Sequence, residues 1–253
     1  MSVIRAVQKC RVLSGLQIQR LHFAALAPVS AERTRRRVLS RLVSWRVLAT
    51  LERRIGGVRA GSDGLLFTLD TAGAKLLRQW AVQDGDSAPP RRPREPGMAF
   101  LAHTLAISEF YVCLAESSRS SNFELAEFAT EPECWWPNGA GGFLKPDAYT
   151  LLSTPTHQDA WWIEVDLGTE TIPRLRAKLR AYLGFAQLGG HGPTAVMPRV
   201  LITALTPARC DAIARMITAL PAPANLLLSV CLDNTAAEYL ASELLQDNPN
   251  ARG

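Results

Sequence analysis

Two stretches decide how this chain reads: Lys145-Pro146-Asp147 and, after a polar gap, Trp161-Trp162-Ile163-Glu164-Val165-Asp166. Both are short, apolar and β-prone, yet each carries carboxylates. Side chains alternate faces along a strand, so Glu164 and Asp166 share one face while Trp161, Ile163 and Val165 take the other. A neighbouring strand bearing Asp147 adds a third carboxylate to the acidic face. Carboxylates taken out of water need a compensating charge. Where three converge, a hard divalent cation such as Mg²⁺ or Mn²⁺ is the expected partner. Such a centre suits the hydrolysis of phosphodiesters. Asp147, Glu164 and Asp166 are therefore the candidate metal ligands and catalytic carboxylates.

Working outward, the chain divides by charge. Residues 1–97 carry a formal +11 and residues 98–253 a formal −6, within a total of +5. A basic half of this strength points to nucleic acid, and the acidic half holds the candidate ligands. The hydrophobic fraction of 47% and charged fraction of 20% belong to a globular protein. No apolar run long enough for a membrane span is present, and no signal peptide is expected. The five cysteines are scattered without a C-x-x-C, which fits free thiols in a reducing cytoplasm.

The basic half predicts three helices and a hairpin. Residues 2–10 form the first helix, and Ser14 caps a second through His22. Ser30 is the expected N-cap of a third, from Ala31 to Ser44. Its apolar face is Ala31, Val38, Leu39, Leu42 and Val43, and its basic face is Arg33, Arg36, Arg37 and Arg41. Arg35 falls near the apolar side and is expected to snorkel outward. Strands at Val47–Glu52 and Leu65–Leu69 flank a basic tip with Arg53, Arg54 and Arg59. Thr71 opens a short helix through Arg78. This is the pattern of a winged helix-turn-helix that binds double-stranded DNA, the third helix entering the major groove. Residues 1–81 make this domain, and the proline-rich 82–97 a linker.

Residues 98–246 predict an α-β-β-β-α-β order followed by an α-β-α extension, with 247–253 as a tail. The elements are a helix from Met98 to Ser117, strands near Phe123–Phe128, Phe143–Leu152 and Ala160–Asp166, and a helix from Ile172 to Leu188. A strand at Arg199–Thr203, a helix at Pro207–Leu220, a strand at Leu226–Val230 and a helix at Thr235–Leu245 follow. The fold class is α/β (α+β). Glu170 is placed to favour the N-terminus of the Ile172 helix. Glu109 and His103 lie on the first helix of this half. Trp135-Trp136 and Trp161-Trp162 suit core packing, or stacking on unpaired bases. The chain lacks His-x-His, G-x-x-x-x-G-K-[ST], G-x-S-x-G and H-E-x-x-H.

The strand order, with Pro146-Asp147 on the second strand and Glu164-x-Asp166 on the third, resembles the PD-(D/E)XK nuclease core. Over about residues 10–205 the chain resembles the replication-relaxation family of plasmids and integrative elements. The carrying residues are the Glu32–Arg41 helix, Phe67-Thr68-Leu69 before Thr71-Ala72-Gly73, His103-Thr104-Leu105, and Lys145-Pro146-Asp147-Ala148-Tyr149. Trp162-Ile163-Glu164-Val165-Asp166-Leu167-Gly168-Thr169-Glu170 and Arg176-Ala177-Lys178-Leu179-Arg180-Ala181-Tyr182 complete them. The resemblance implies a part in DNA relaxation, mobilisation or replication, with other mobilisation or replication proteins as partners. The nuclease pattern ends Glu-x-Lys, whereas the third position here is Asp166. Lys178 on the following helix, or Lys145 beside Asp147, then becomes the candidate for the missing ammonium. Two functions follow: a metal-dependent nickase, or a non-catalytic DNA-binding and recruitment factor built on the same fold.

Overall fold

The computed structural model describes residues 2–54, 64–83 and 98–246, which fall in two compact units, Met1–Val112 and Cys113–Gly253.

In the first unit the chain runs α1 (Ser2–Cys10), β1 (Leu13–Ser14), α2 (Gly15–His22), α3 (Pro28–Ser44), β2 (Leu48–Arg54), β3 (Leu65–Leu69) and α4 (Thr71–Gln83). Ser14 starts α2 with a reciprocal cap. Its Oγ accepts from the Gln17 N–H at 3.1 Å, and its own N–H donates to Gln17 Oε1 at 2.9 Å. α3 starts earlier than Ser30: its N-cap is Ala27 and Pro28 occupies the first turn. Proline's fixed φ and missing N–H suit that position. The three strands form an antiparallel sheet in the order β1-β3-β2, with Leu13 opposite Phe67 and Leu48 opposite Leu69. Val3, Val7, Ile18, Leu39, Leu48, Phe67 and Leu77 form the core. Gly73 is required where α4 meets β2, because a Cβ there would lie 2.3 Å from the Val47 carbonyl oxygen. α4 continues past Arg78, since Trp80 extends the face packed on this core. Arg35 does not snorkel outward: it is fully buried, because the Ala31–Arg35–Leu39 spacing puts all three on the inward face of α3.

Residues 98–112 of α5 (Met98–Ser120) fall in the first unit. Leu101 and Leu105 pack with Val12 and Leu66, and the Ser108 hydroxyl donates to the Val12 carbonyl at 2.8 Å. The predicted linker lies largely outside the described residues, as does the tail.

The second unit holds β4 (Glu124–Thr130), β5 (Trp136–Pro137), β6 (Phe143–Leu144), β7 (Ala148–Ser153), β8 (Gln158–Asp166), α6 (Ile172–Gln187), β9 (Arg199–Ala204), α7 (Pro207–Thr218), α8 (Ala224–Leu227), β10 (Leu228–Leu232) and α9 (Ala236–Gln246). Five strands make a mixed sheet in the order β10-β9-β8-β7-β4. β8 is its central strand, antiparallel to β7 and parallel to β9. Residues 160–166 of β8 are all buried, as a strand covered on both faces requires. On one face Trp162 packs against Tyr182 and Phe185 of α6. On the other, Trp161 meets Tyr239 of α9 edge to face, and the Arg199 guanidinium lies 4.1 Å from its ring centroid. The paired tryptophans at 161 and 162 are thus core residues on opposite faces. Phe143–Leu152 is not one strand. β6 pairs with β5, and β7 begins only after Lys145-Pro146-Asp147, since Pro146 has no N–H to donate. Leu226 belongs to α8, so β10 starts at Leu228.

Candidate functional site

The face of β8 that carries Trp162 also carries Glu164, and α6 lies over it. Glu164 is 2% exposed. Its Oε2 accepts from the ammonium of Lys178, and its Oε1 accepts from the Tyr182 hydroxyl at 2.5 Å. Lys178 and Tyr182 are one helical turn apart, so both reach the same carboxylate. Asp147 precedes β7, and its backbone still completes the ladder. Its N–H donates to the Ile163 carbonyl at 2.9 Å and its own carbonyl accepts from Glu131 at 3.1 Å. The side chain turns toward β8, where Oδ2 accepts from the Val165 N–H at 2.7 Å. Oδ1 lies 3.9 Å from the Lys178 ammonium. One cationic side chain therefore faces both Asp147 and Glu164.

Asp166 stands apart from that group. Its Oδ2 accepts from Arg209 Nε at 2.9 Å and Nη2 at 2.7 Å, and its Oδ1 from the Gly168 N–H at 2.5 Å. Arg209 also donates to the Glu170 carbonyl at 2.6 Å, tying the end of β8 and the following turn to α7. Glu170 pairs with Arg174 at 3.0 Å, one turn into α6. Lys145 is exposed, its ammonium 4.6 Å from the Trp135 ring centroid. Trp136 donates to the His191 carbonyl at 2.7 Å. In the first unit Glu109 accepts from Gln17 at 2.9 Å and pairs with Arg20, and His103 is half-buried.

Burial dominates the electrostatics. It raises the Glu164 carboxyl to about 8 against the opposing pull of Lys178, and the Asp147 charge adds to the rise. Burial alone would lower Lys178, but Glu164 and Asp147 outweigh it and push its ammonium up, so it stays charged. Tyr182 is pushed well above its ordinary value by burial and then by Glu164. It is therefore a fixed donor.

Among the described residues, no three His, Cys, Asp or Glu side chains gather closely enough to enclose a metal ion. Mg²⁺ does not need three. It is commonly held by one or two carboxylates, with water and substrate phosphate completing its shell. Asp147 and Glu164 are carboxylates of that kind, and the Lys178 ammonium faces both of them.

The sequence model for replication-relaxation matches residues 4–200. This chain belongs to the replication-relaxation family. Membership ties it to the replication or relaxation of plasmid-type elements. No curated protein and no solved structure matches the chain. The matched residues include the β8 carboxylates and Lys178 and stop short of Arg209, the partner of Asp166.

In the first unit of this replication-relaxation protein, Arg33, Arg36, Arg37 and Arg41 are all exposed on α3. Arg36 pairs with Glu32 one turn back. Arg53 and Arg54 end β2, with side chains outside the described part, and Arg59 lies outside the described residues. Among the described residues no helix is long and apolar enough to cross a membrane.

Two residues of the second-unit site were not anticipated as functional. Tyr182 enters the sequence reading only as the last residue of the basic stretch Arg176–Tyr182, although its four-residue spacing from Lys178 signals a shared target. Arg209 carries no local signal, since it meets Asp166 only through the packing of α7.

Proposed function

We propose that this protein binds double-stranded DNA of a plasmid or integrative element through its first unit and nicks it through its second, with Mg²⁺ or Mn²⁺ at Asp147 and Glu164. The observation that carries this reading is the single ammonium, Lys178, facing both buried carboxylates beside the central strand. The helix order, the antiparallel β1-β3-β2 sheet and the arginine face of α3 support a winged helix-turn-helix. The α-β-β-β-α-β order and the Asp147, Glu164 and Lys178 group support a nuclease core whose lysine comes from the helix instead of the third strand.

When bound, the metal supplies Lewis acidity toward a phosphate oxygen and a water. The protein's own groups set the stage. The Val165 N–H orients Asp147, and Tyr182 holds one oxygen of Glu164. Lys178 supplies positive charge where charge develops on the phosphate. In hydrolysis the hydroxyl of water goes to phosphorus and its proton to the leaving ester oxygen. Asp166, held by Arg209, braces the turn between β8 and α6.

The test is relaxation of a supercoiled plasmid carrying the cognate origin, with Mg²⁺ or Mn²⁺, by wild type, Glu164→Gln and Lys178→Met. Nicking by wild type alone is expected, and equal nicking by all three removes the assignment. A second reading, a recruitment factor for other mobilisation or replication proteins, draws on the engagement of both Glu164 oxygens by Lys178 and Tyr182. Calorimetry separates the two, since uptake of Mn²⁺ that depends on Glu164 counts against a scaffold.

A further inference from the structure

Arg33, Arg37, Arg41 and Trp45 follow one another at four-residue spacing along α3 and its C-cap, and all four are exposed. That spacing makes one ridge, about 18 Å long at the helical rise per residue. Trp45 ends the ridge and is 57% exposed. Its place is set from several sides. Its N–H donates to the Arg41 carbonyl at 3.0 Å, and the next N–H, of Arg46, donates to Val43 at 2.9 Å. Arg46 then takes a left-handed φ of 56°, with its guanidinium 3.3 Å from Asp70. The Arg41 guanidinium lies 4.8 Å from the Trp45 ring centroid.

A single exposed apolar residue is ordinary on a protein surface. This one differs because it continues a row of cations and stacks with the last of them. Arginines spaced along a ridge suit a phosphate backbone. An indole with a stacked guanidinium suits the flat face of a nucleobase, to which it offers stacking and cation–π attraction together. The turn fixes the Trp45 backbone and the Arg41 guanidinium lies over its ring, so part of the ordering precedes binding. Paired bases inside a duplex have both faces covered by their neighbours, so a base that stacks on Trp45 away from a duplex end must be unpaired.

We propose that Trp45 is a base-stacking platform at the end of the arginine ridge. The preferred partner of the first unit is then DNA with an unpaired base beside duplex, as at a gap, a fork or a melted origin. This rests on the DNA-binding reading above and names the DNA form it selects.

The experiment compares, by fluorescence anisotropy, a labelled blunt duplex with the same duplex bearing a single-stranded arm. Wild type should bind the armed duplex about tenfold more tightly. Trp45→Ala should lose that preference while binding the blunt duplex as wild type does, and Trp45→Phe should keep most of it. Arg37→Ala should weaken both DNAs alike. An armed-to-blunt ratio unchanged in Trp45→Ala overturns the platform and leaves duplex binding standing. Failure of wild type to bind either DNA removes both readings. If sedimentation shows Trp45→Ala dissolving a dimer without altering the ratio, the face belongs to a second copy of the chain and the proposal falls.

Discussion

Replacing Glu164 by glutamine tests the electrostatics of the site most directly. Glutamine keeps the size of the side chain and its bond with Tyr182 but cannot ionise. In the wild type, burial raises the carboxyl from its ordinary 4.5 to about 8. Between those values the folded protein binds a proton that the unfolded chain has released. Wild-type stability contributed by this group is therefore full below about pH 4.5 and is lost as pH rises toward 8. At about 1.4 kcal/mol per pH unit, and with the pull of Lys178 already included in that rise, the loss is on the order of 5 kcal/mol. Glu164→Gln should match wild type at pH 5 and exceed it by that amount at pH 8 and above. Urea unfolding of both proteins, followed by circular dichroism across this range, reads the difference. Parallel stabilities would refute the reasoning. So would a wild type that gains on the variant as pH rises, for then the ion pair with Lys178 governs Glu164 and burial does not. The same variant should lose nicking, which would mark Glu164 as a group kept for chemistry at the expense of stability.

Other expectations rest on separate contacts. Arg209→Leu leaves the carboxylate of Asp166 buried without its guanidinium and should cost about 3–5 kcal/mol in chemical unfolding. The double variant Asp166→Leu/Arg209→Leu should recover much of that. Gly73→Ala brings a Cβ to 2.3 Å from the Val47 carbonyl oxygen and should cost about 1–3 kcal/mol, read as a lower thermal midpoint. Arg37→Ala should weaken duplex binding and reduce the slope of log affinity against log salt by about one. An unchanged slope would make the α3 arginines a solvated face.

Local patterning carried much of the architecture. The alternation in Trp161–Asp166 is that of a strand wherever it sits, and Ser14 marks a helix start as a local capping residue. The β3 bounds at Leu65–Leu69 and the start of α6 at Ile172 were legible for the same reason. The start of α3 differs from the sequence expectation because Ser30 is the stronger capping residue in isolation, whereas Pro28 already occupies the first turn. The break before β7 is hidden in the sequence because apolar content runs on through Phe143 and Leu144 and masks the proline's effect on pairing.

The candidate site divides along the same line. Period-two alternation places Glu164 and Asp166 on one face of their strand, and four-residue spacing places Lys178 and Tyr182 on one face of their helix, although of these two only Lys178 reads as a site residue from sequence. Which carboxylate meets which cation depends on what packs above the sheet. α6 delivers its lysine and tyrosine to Glu164, while α7, arriving from 43 residues further on, delivers Arg209 to Asp166. Alternation along a strand is a property of the backbone and is written into consecutive residues. Charge pairing across layers acts only at contact distance, and only the folded chain brings those groups together.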